Sequence, residues 1–145
     1  MMSLSRRALF AALPGLLLVA VGTARADDEA LPTFKNTAKR ETEEFVSKVG
    51  AAVIKAARAK PQKIELKKHE YTNPKAGRKD LVLKMRYVGL VTRKKYDADI
   101  TVMLSVDPSD KDKWEVVNIK YKDTNPSPLD PNETKIQKLI KDFNC

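Results

Sequence analysis

The feature that most constrains this fold is the alternation in residues 96–107, YDADITVMLSVD. Successive side chains of a strand point to opposite faces. Tyr96, Ala98, Ile100, Val102, Leu104 and Val106 therefore share one face, and Asp97, Asp99, Thr101, Ser105 and Asp107 the other, with Met103 the apolar exception. This is the pattern of an antiparallel strand wet on one side. The run before it, residues 81–91, puts Leu81, Leu83, Met85, Tyr87, Gly89 and Val91 on one face. Val82, Lys84, Arg86, Val88 and Leu90 fall on the other. A one-residue slip would drive Lys84 and Arg86 into the core, so the register is strongly specified. Gly89 inside the run predicts a bend, a bulge or a close neighbour.

The remaining elements follow from periodicity and punctuation. Residues 33–59 carry one stripe at three- and four-residue steps (Phe34, Ala38, Glu41/Thr42, Phe45, Val49, Ala52/Val53, Ala56), which predicts one long amphipathic helix stopped by Pro61. Residues 62–72 read as a strand with Ile64 and Leu66 on one face; Lys67-Lys68 breaks the alternation, and His69 and Tyr71 resume it after a bulge. Asn73 to Gly77 and Asp107 to Asp112 are turns by composition. Residues 114–121 form a fourth strand, with Val117, Ile119 and Tyr121 on one face and Trp114 and Val116 on the other. Asp130-Pro131-Asn132-Glu133 predicts a helix start capped by Asp130, and Ile136, Leu139, Ile140 and Phe143 form its stripe. The expected fold is α+β: a long N-terminal helix on a four-stranded antiparallel sheet, with a short C-terminal helix. Val88, Leu90, Met103, Trp114 and Val116 fall opposite the long helix; the C-terminal helix is expected to fold back over them, since its own stripe needs a place to go, and any exposed remainder is a dimer or ligand interaction face. The order of elements across residues 33–121 resembles the cystatin-like and nuclear-transport-factor-like rolls. The cystatin inhibitory hairpin, Gln-x-Val-x-Gly, has no counterpart, so the resemblance implies a fold and no activity.

Residues 1–26 read as an export signal peptide. Arg6 and Arg7 precede an apolar run, and Ala24-Arg25-Ala26 has a small-x-small cleavage pattern. Ser5-Arg6-Arg7-Ala8-Leu9-Phe10 resembles the twin-arginine leaders of bacterial exported proteins, although Leu9 stands where Phe is usual and the later Lys is missing. General secretion accounts for the same residues. The predicted mature domain is residues 27–145, exported to the periplasm or beyond, with no transmembrane anchor.

Three of the 28 Lys/Arg residues and none of the 19 Asp/Glu lie in the leader, so residues 27–145 carry a net +6. The charge is blocked: residues 60–95 hold twelve Lys/Arg against Glu65, Glu70 and Asp80, whereas residues 96–145 hold seven against ten acidic. Lys63, Lys67, Lys84, Arg86, Arg93, Lys94 and Lys95 are the candidate anion-binding residues, for an anionic polymer or envelope component. A solvated, solubilising face explains them equally well.

No cofactor, metal or catalytic motif is present in the sequence. His69 is the only histidine and lacks companion ligands; Cys145 is the only cysteine and ends the chain. Asp107, Asp110 and Asp112 lack the central Gly and twelfth-position Glu of a calcium-binding loop. Asp97 and Asp99 are expected to pair across strands with Arg86 and Lys84. The sequence thus indicates a non-enzymatic binding module for an anionic partner. Its alternatives are an interaction or homodimerising domain using the apolar face, or a hydrophobic-ligand pocket whose only hydroxyls are Tyr87, Tyr96 and Tyr121.

Overall fold

The computed structural model describes residues 31–35, 37–126 and 129–145. Residues 1–30, which include Arg6, Arg7, Ala24 and Ala26 of the expected signal peptide, lie outside them. The elements are α1 (Glu43–Ala57), β1 (Gln62–Lys75), β2 (Arg78–Val88), β3 (Lys95–Asp107), β4 (Asp110–Asp123) and α2 (Glu133–Phe143). The strands form one antiparallel sheet in sequence order, β1-β2-β3-β4.

The centre of the sheet follows the alternation. Leu81, Leu83, Met85 and Tyr87 of β2 and Tyr96, Ala98, Ile100, Val102 and Leu104 of β3 are all buried. Both helices cover this face, and residues from Phe34 to Phe143 make one continuous core. Residues 31–145 form a single compact unit, closed at its ends by the Phe34 N–H donating to the Phe143 carbonyl at 3.0 Å. A Cβ on Gly50 would stand 2.7 Å from the Met85 sulfur, so the glycine leaves room for the end of the Met85 side chain beneath α1.

Four expectations are corrected. The first helix starts at Glu43, not near Thr33. Thr42 caps it, its hydroxyl accepting from the Phe45 N–H at 3.2 Å, and Glu43 and Glu44 occupy the positive first turn. The preceding segment is a strap of turns pinned by Phe34, whose ring meets Phe45 and Phe143 edge-on at 5.0 and 5.9 Å. It also turns Arg40 inward, and a buried arginine is incompatible with the polar helix face expected there.

Second, Val117 is an extra residue in β4: Leu104 pairs with Val116, and Met103 with Asn118. This bulge switches the parity, so Trp114 and Val116 join Ile119 in the core and Val117 turns outward. Third, α2 does not cross to the opposite face. It packs beside α1 on β4, burying Ile136, Leu139 and Phe143. Its cap is Asn132, whose side chain accepts from the Lys135 N–H at 3.1 Å, rather than Asp130. Fourth, the strand stops at Val88 rather than running to Val91, so Leu90 and Val91 lie in a turn; at Gly89 the close neighbour, among the expected alternatives, is what is found, in the Tyr96 ring.

Both sheet edges are interrupted. Edge strand β1 has register shifts around Lys63 and Lys67, and Lys63 sits at φ 48°. Along the β4 edge the Asn144 amide takes the place of a fifth strand: it accepts from the Val116 N–H at 2.7 Å and donates to the Val116 carbonyl at 3.0 Å. Bulges and covered edges of this kind oppose strand addition.

Candidate anion-binding end of the sheet

The register divides the seven basic candidates into two groups. Lys67, Lys84 and Arg86 lie along the outer face or its edge, each beside a carboxylate. Arg86 Nε donates to Asp97 at 2.9 Å, Lys84 Nζ to Asp99 at 3.3 Å and Lys67 Nζ to Glu65 at 3.5 Å. The register extends the pattern into rows of mixed sign, Glu65–Arg86–Asp97 and Lys68–Lys84–Asp99–Lys122. What is a positive block in sequence becomes, on this face, a mixed lattice of opposite charges. Such exposed pairs contribute about 0–1 kcal/mol each.

Lys63, Arg93, Lys94 and Lys95 are brought together instead. Gln62 pairs with Val88 and Val88 with Lys95, so the start of β1, the β2–β3 turn and the start of β3 meet at one end of the sheet. All four side chains are exposed, and none forms an ion pair with a described residue. Lys60, also exposed and at φ 45°, stands on the chain entering this end. The turn is fixed by its own bonds. The Gly89 N–H donates to the Lys94 carbonyl at 2.9 Å, the Arg93 N–H to the Gly89 carbonyl at 3.0 Å, and the Thr92 and Tyr96 hydroxyls lie 2.6 Å apart. A Cβ on Gly89 would fall 2.8 Å from the Tyr96 ring and 2.9 Å from the Thr92 hydroxyl, so no other residue fits without a shift.

Beneath this end is a buried carboxylate that the sequence did not single out. The Asp123 side chain is 1% exposed and its partner Arg58 11%. Arg58 Nε and Nη2 each donate to it at 2.9 Å, and the Tyr121 and Tyr87 hydroxyls donate at 2.6 and 2.7 Å. The Asn125 N–H adds a fifth bond at 3.2 Å. Burial works against the charge of Asp123, but the bonds from Arg58, Tyr121 and Tyr87 outweigh it and hold the carboxyl below its ordinary value. The bond to Asp123 raises Arg58. Burial, reinforced at Tyr121 by the carboxylate, raises Tyr121 and Tyr87, so both remain protonated donors at neutral pH. The hub ties the end of α1, β2, β4 and, through Arg58 Nη1 donating to the Leu129 carbonyl at 2.7 Å, the link to α2. The signals in sequence were Asp123 closing a strand and Arg58 closing a helix, neither of which specifies the other.

At the opposite end, Lys75, Arg78, Lys79, Lys111 and Trp114 line a shallow cleft of about 520 Å³. There Arg40 lies 3.5 Å above the Trp114 ring and donates to the Phe34 and Asp112 carbonyls at 3.0 and 2.6 Å. The Tyr71 hydroxyl donates to the Arg40 carbonyl.

The proposed apolar face is not assembled. Trp114 and Val116 are in the core, Val88 and Met103 are half-buried on the outer side, and Leu90 is in the turn. His69 lies half-buried opposite Leu83, and among the described residues no group of three or more His, Cys, Asp or Glu is placed to hold a metal. Asp107 and Asp110 accept from the Ser109 and Asp112 N–H groups at 2.8 and 3.1 Å, bonds internal to their turn. Cys145 is exposed and unpaired. No described helix is long and apolar enough to cross a membrane. Comparison with known proteins gives no matching family model, no matching curated protein and no matching solved structure, so the reading of this site rests on its own geometry.

Proposed function

We propose that the chain is exported and acts as a binding module, not a catalyst, engaging an anionic partner through the Lys63/Arg93/Lys94/Lys95 end of its sheet. One observation carries the reading: these four cations converge and are left without carboxylate partners among the described residues, whereas Lys67, Lys84 and Arg86 each have one. Unneutralised cations grouped on a rigid element attract polyanions and release counterions on binding. The titratable groups below them, Asp123, Tyr87 and Tyr121, are bonded to one another and hold the surface in shape.

The test is retention of residues 27–145 on immobilised heparin across a salt series. Retention should fall steeply with salt, collapse in Lys94→Glu/Lys95→Glu, and survive in Lys84→Gln/Arg86→Gln. Equal losses in the two variants would move the binding to the whole outer face. No retention by the parent would make the block a solubility device.

A further inference from the structure

We infer that the partner of this basic end is an anionic lipid surface, which the β2–β3 turn enters with Leu90 and Val91 while the surrounding cations hold the headgroups. The inference rests on the anionic reading above. In sequence, Val91 continues the core face of β2. In the structure Gly89 ends the strand, and Val91 becomes 90% exposed and Leu90 40% exposed. A surface turn is ordinarily built from Gly, Pro, Asn, Asp and Ser. This one places two exposed aliphatic residues, followed by Thr92, ahead of Arg93-Lys94-Lys95, and its bonds fix the turn that carries them. The Lys94 N–H adds a bond to the Thr92 hydroxyl at 3.3 Å.

Two kinds of partner fit less well. A polyanion in water, such as a nucleic acid or a sulfated polysaccharide, would use the cations but give Val91 and Leu90 no apolar surroundings. A protein partner adding a strand is opposed by the bulges of β1 and by the Asn144 amide on β4. A lipid surface uses both features, phosphate headgroups for the cations and the acyl boundary for the apolar tip. The carboxylates at this end do not cancel the field at the turn. Asp97 is paired with Arg86 and Asp123 is buried against Arg58. The exposed Asp130 and Glu133 belong to the helix layer, before and at the start of α2. The docking is peripheral and reversible, resting on two side chains and a few charges.

Residues 27–145 are the suitable chain, because the core formed by the described residues lies between Phe34 and Phe143 and an apolar leader would bind lipid by itself. The experiment is co-sedimentation with vesicles of equimolar phosphatidylglycerol and phosphatidylcholine, and with phosphatidylcholine alone, alongside heparin retention. Each variant is first checked for an unchanged thermal transition. Binding to the anionic vesicles should exceed binding to the neutral ones. Lys94→Glu/Lys95→Glu reverses two charges, a change of four units, and should reduce it on the order of several hundredfold, since each charge near such a surface is worth about fivefold. Val91→Ser, which removes the apolar tip and adds no charge beside Arg93-Lys94-Lys95, should reduce it about tenfold and leave heparin retention unchanged. Val91→Trp should tighten it and shift the added emission to the blue on anionic vesicles only. Vesicle binding that Val91→Ser keeps in full would overturn tip insertion and leave the anionic reading standing. Heparin retention without vesicle binding would overturn the lipid assignment alone. Loss of both in the parent would overturn the two together.

Discussion

The two ends of the sheet use arginine in opposite ways. At the end formed by the β1–β2 and β3–β4 turns, Arg40 is 3% exposed and bonds to carbonyls, with Trp114 stacked beneath its guanidinium. Asp112 is its nearest carboxylate, at 3.9 Å, and is itself largely in water. At the other end, Arg58 makes a two-pronged pair with a carboxylate withdrawn from water. Arg40 is a cation solvated by dipoles and a ring, and burial lowers its proton affinity. Arg58 is a cation matched by an anion, and the match raises it. Only the second arrangement couples two charges that are both withdrawn from water, and it lies beneath the turn whose exposed cations we assign to binding.

That contrast predicts unequal costs. Asp123→Ala removes the anion and strands Arg58, Tyr87 and Tyr121 together, and breaking a buried pair costs about 3–5 kcal/mol. Arg40→Ala removes bonds to neutral carbonyls and a ring contact, and should cost about 1.5–3 kcal/mol. Urea unfolding of both variants checks the order. An Arg40 variant as costly as the Asp123 variant would erase the distinction between the two ends.

A pH series sharpens the same comparison. Asp123 is held below its unfolded value, so its contribution is present above about pH 4 and is lost as pH falls through the folded value. Tyr87, Tyr121 and Tyr71 are raised by burial, so theirs is complete below about pH 10 and is lost as pH climbs from there through the folded values. Stability should therefore be flat across neutral pH and fall at both extremes. Tyr121→Phe should flatten the alkaline fall at the Asp123 end, and Tyr71→Phe at the Arg40 end. Thermal midpoints at pH 7 and above pH 10 measure it.

What could be read from the sequence follows the same physical line. The β2 and β3 faces were legible because two-residue periodicity is local and a slip would bury Lys84 and Arg86. The bulge around Lys67 announced itself as a break in that period. The bulge at Val117 did not, because apolar residues on both sides of it satisfy either parity, and only pairing with Leu104 and Met103 decides. The extra ten residues given to α1 came from Phe34 and Ala38, which happen to fit a helical spacing; Thr42 was the stop signal, and burial of Arg40 was beyond any amphipathic pattern. Four of the seven candidate cations are gathered at one end by strand register. The other three found carboxylates there, and the Asp123 hub joins residues 58, 87, 121 and 125, a grouping that no local window contains.

The smallest expected effect concerns the outer face. Lys84 and Asp99 are cross-strand neighbours at 3.3 Å with side chains 58% and 64% exposed. A double-mutant cycle with Lys84→Ala and Asp99→Ala should give a coupling of about 0.2–1 kcal/mol, shrinking as salt is added. Lys68 lies directly across from Lys84 on its other side, so Lys84→Ala also relieves a like-charge repulsion and its single-mutant cost should fall below that of Asp99→Ala. A coupling near that of the Arg58–Asp123 pair would mean that the lattice rather than the hub organises the sheet, and the cations at the turn would then be one edge of a continuous charged face.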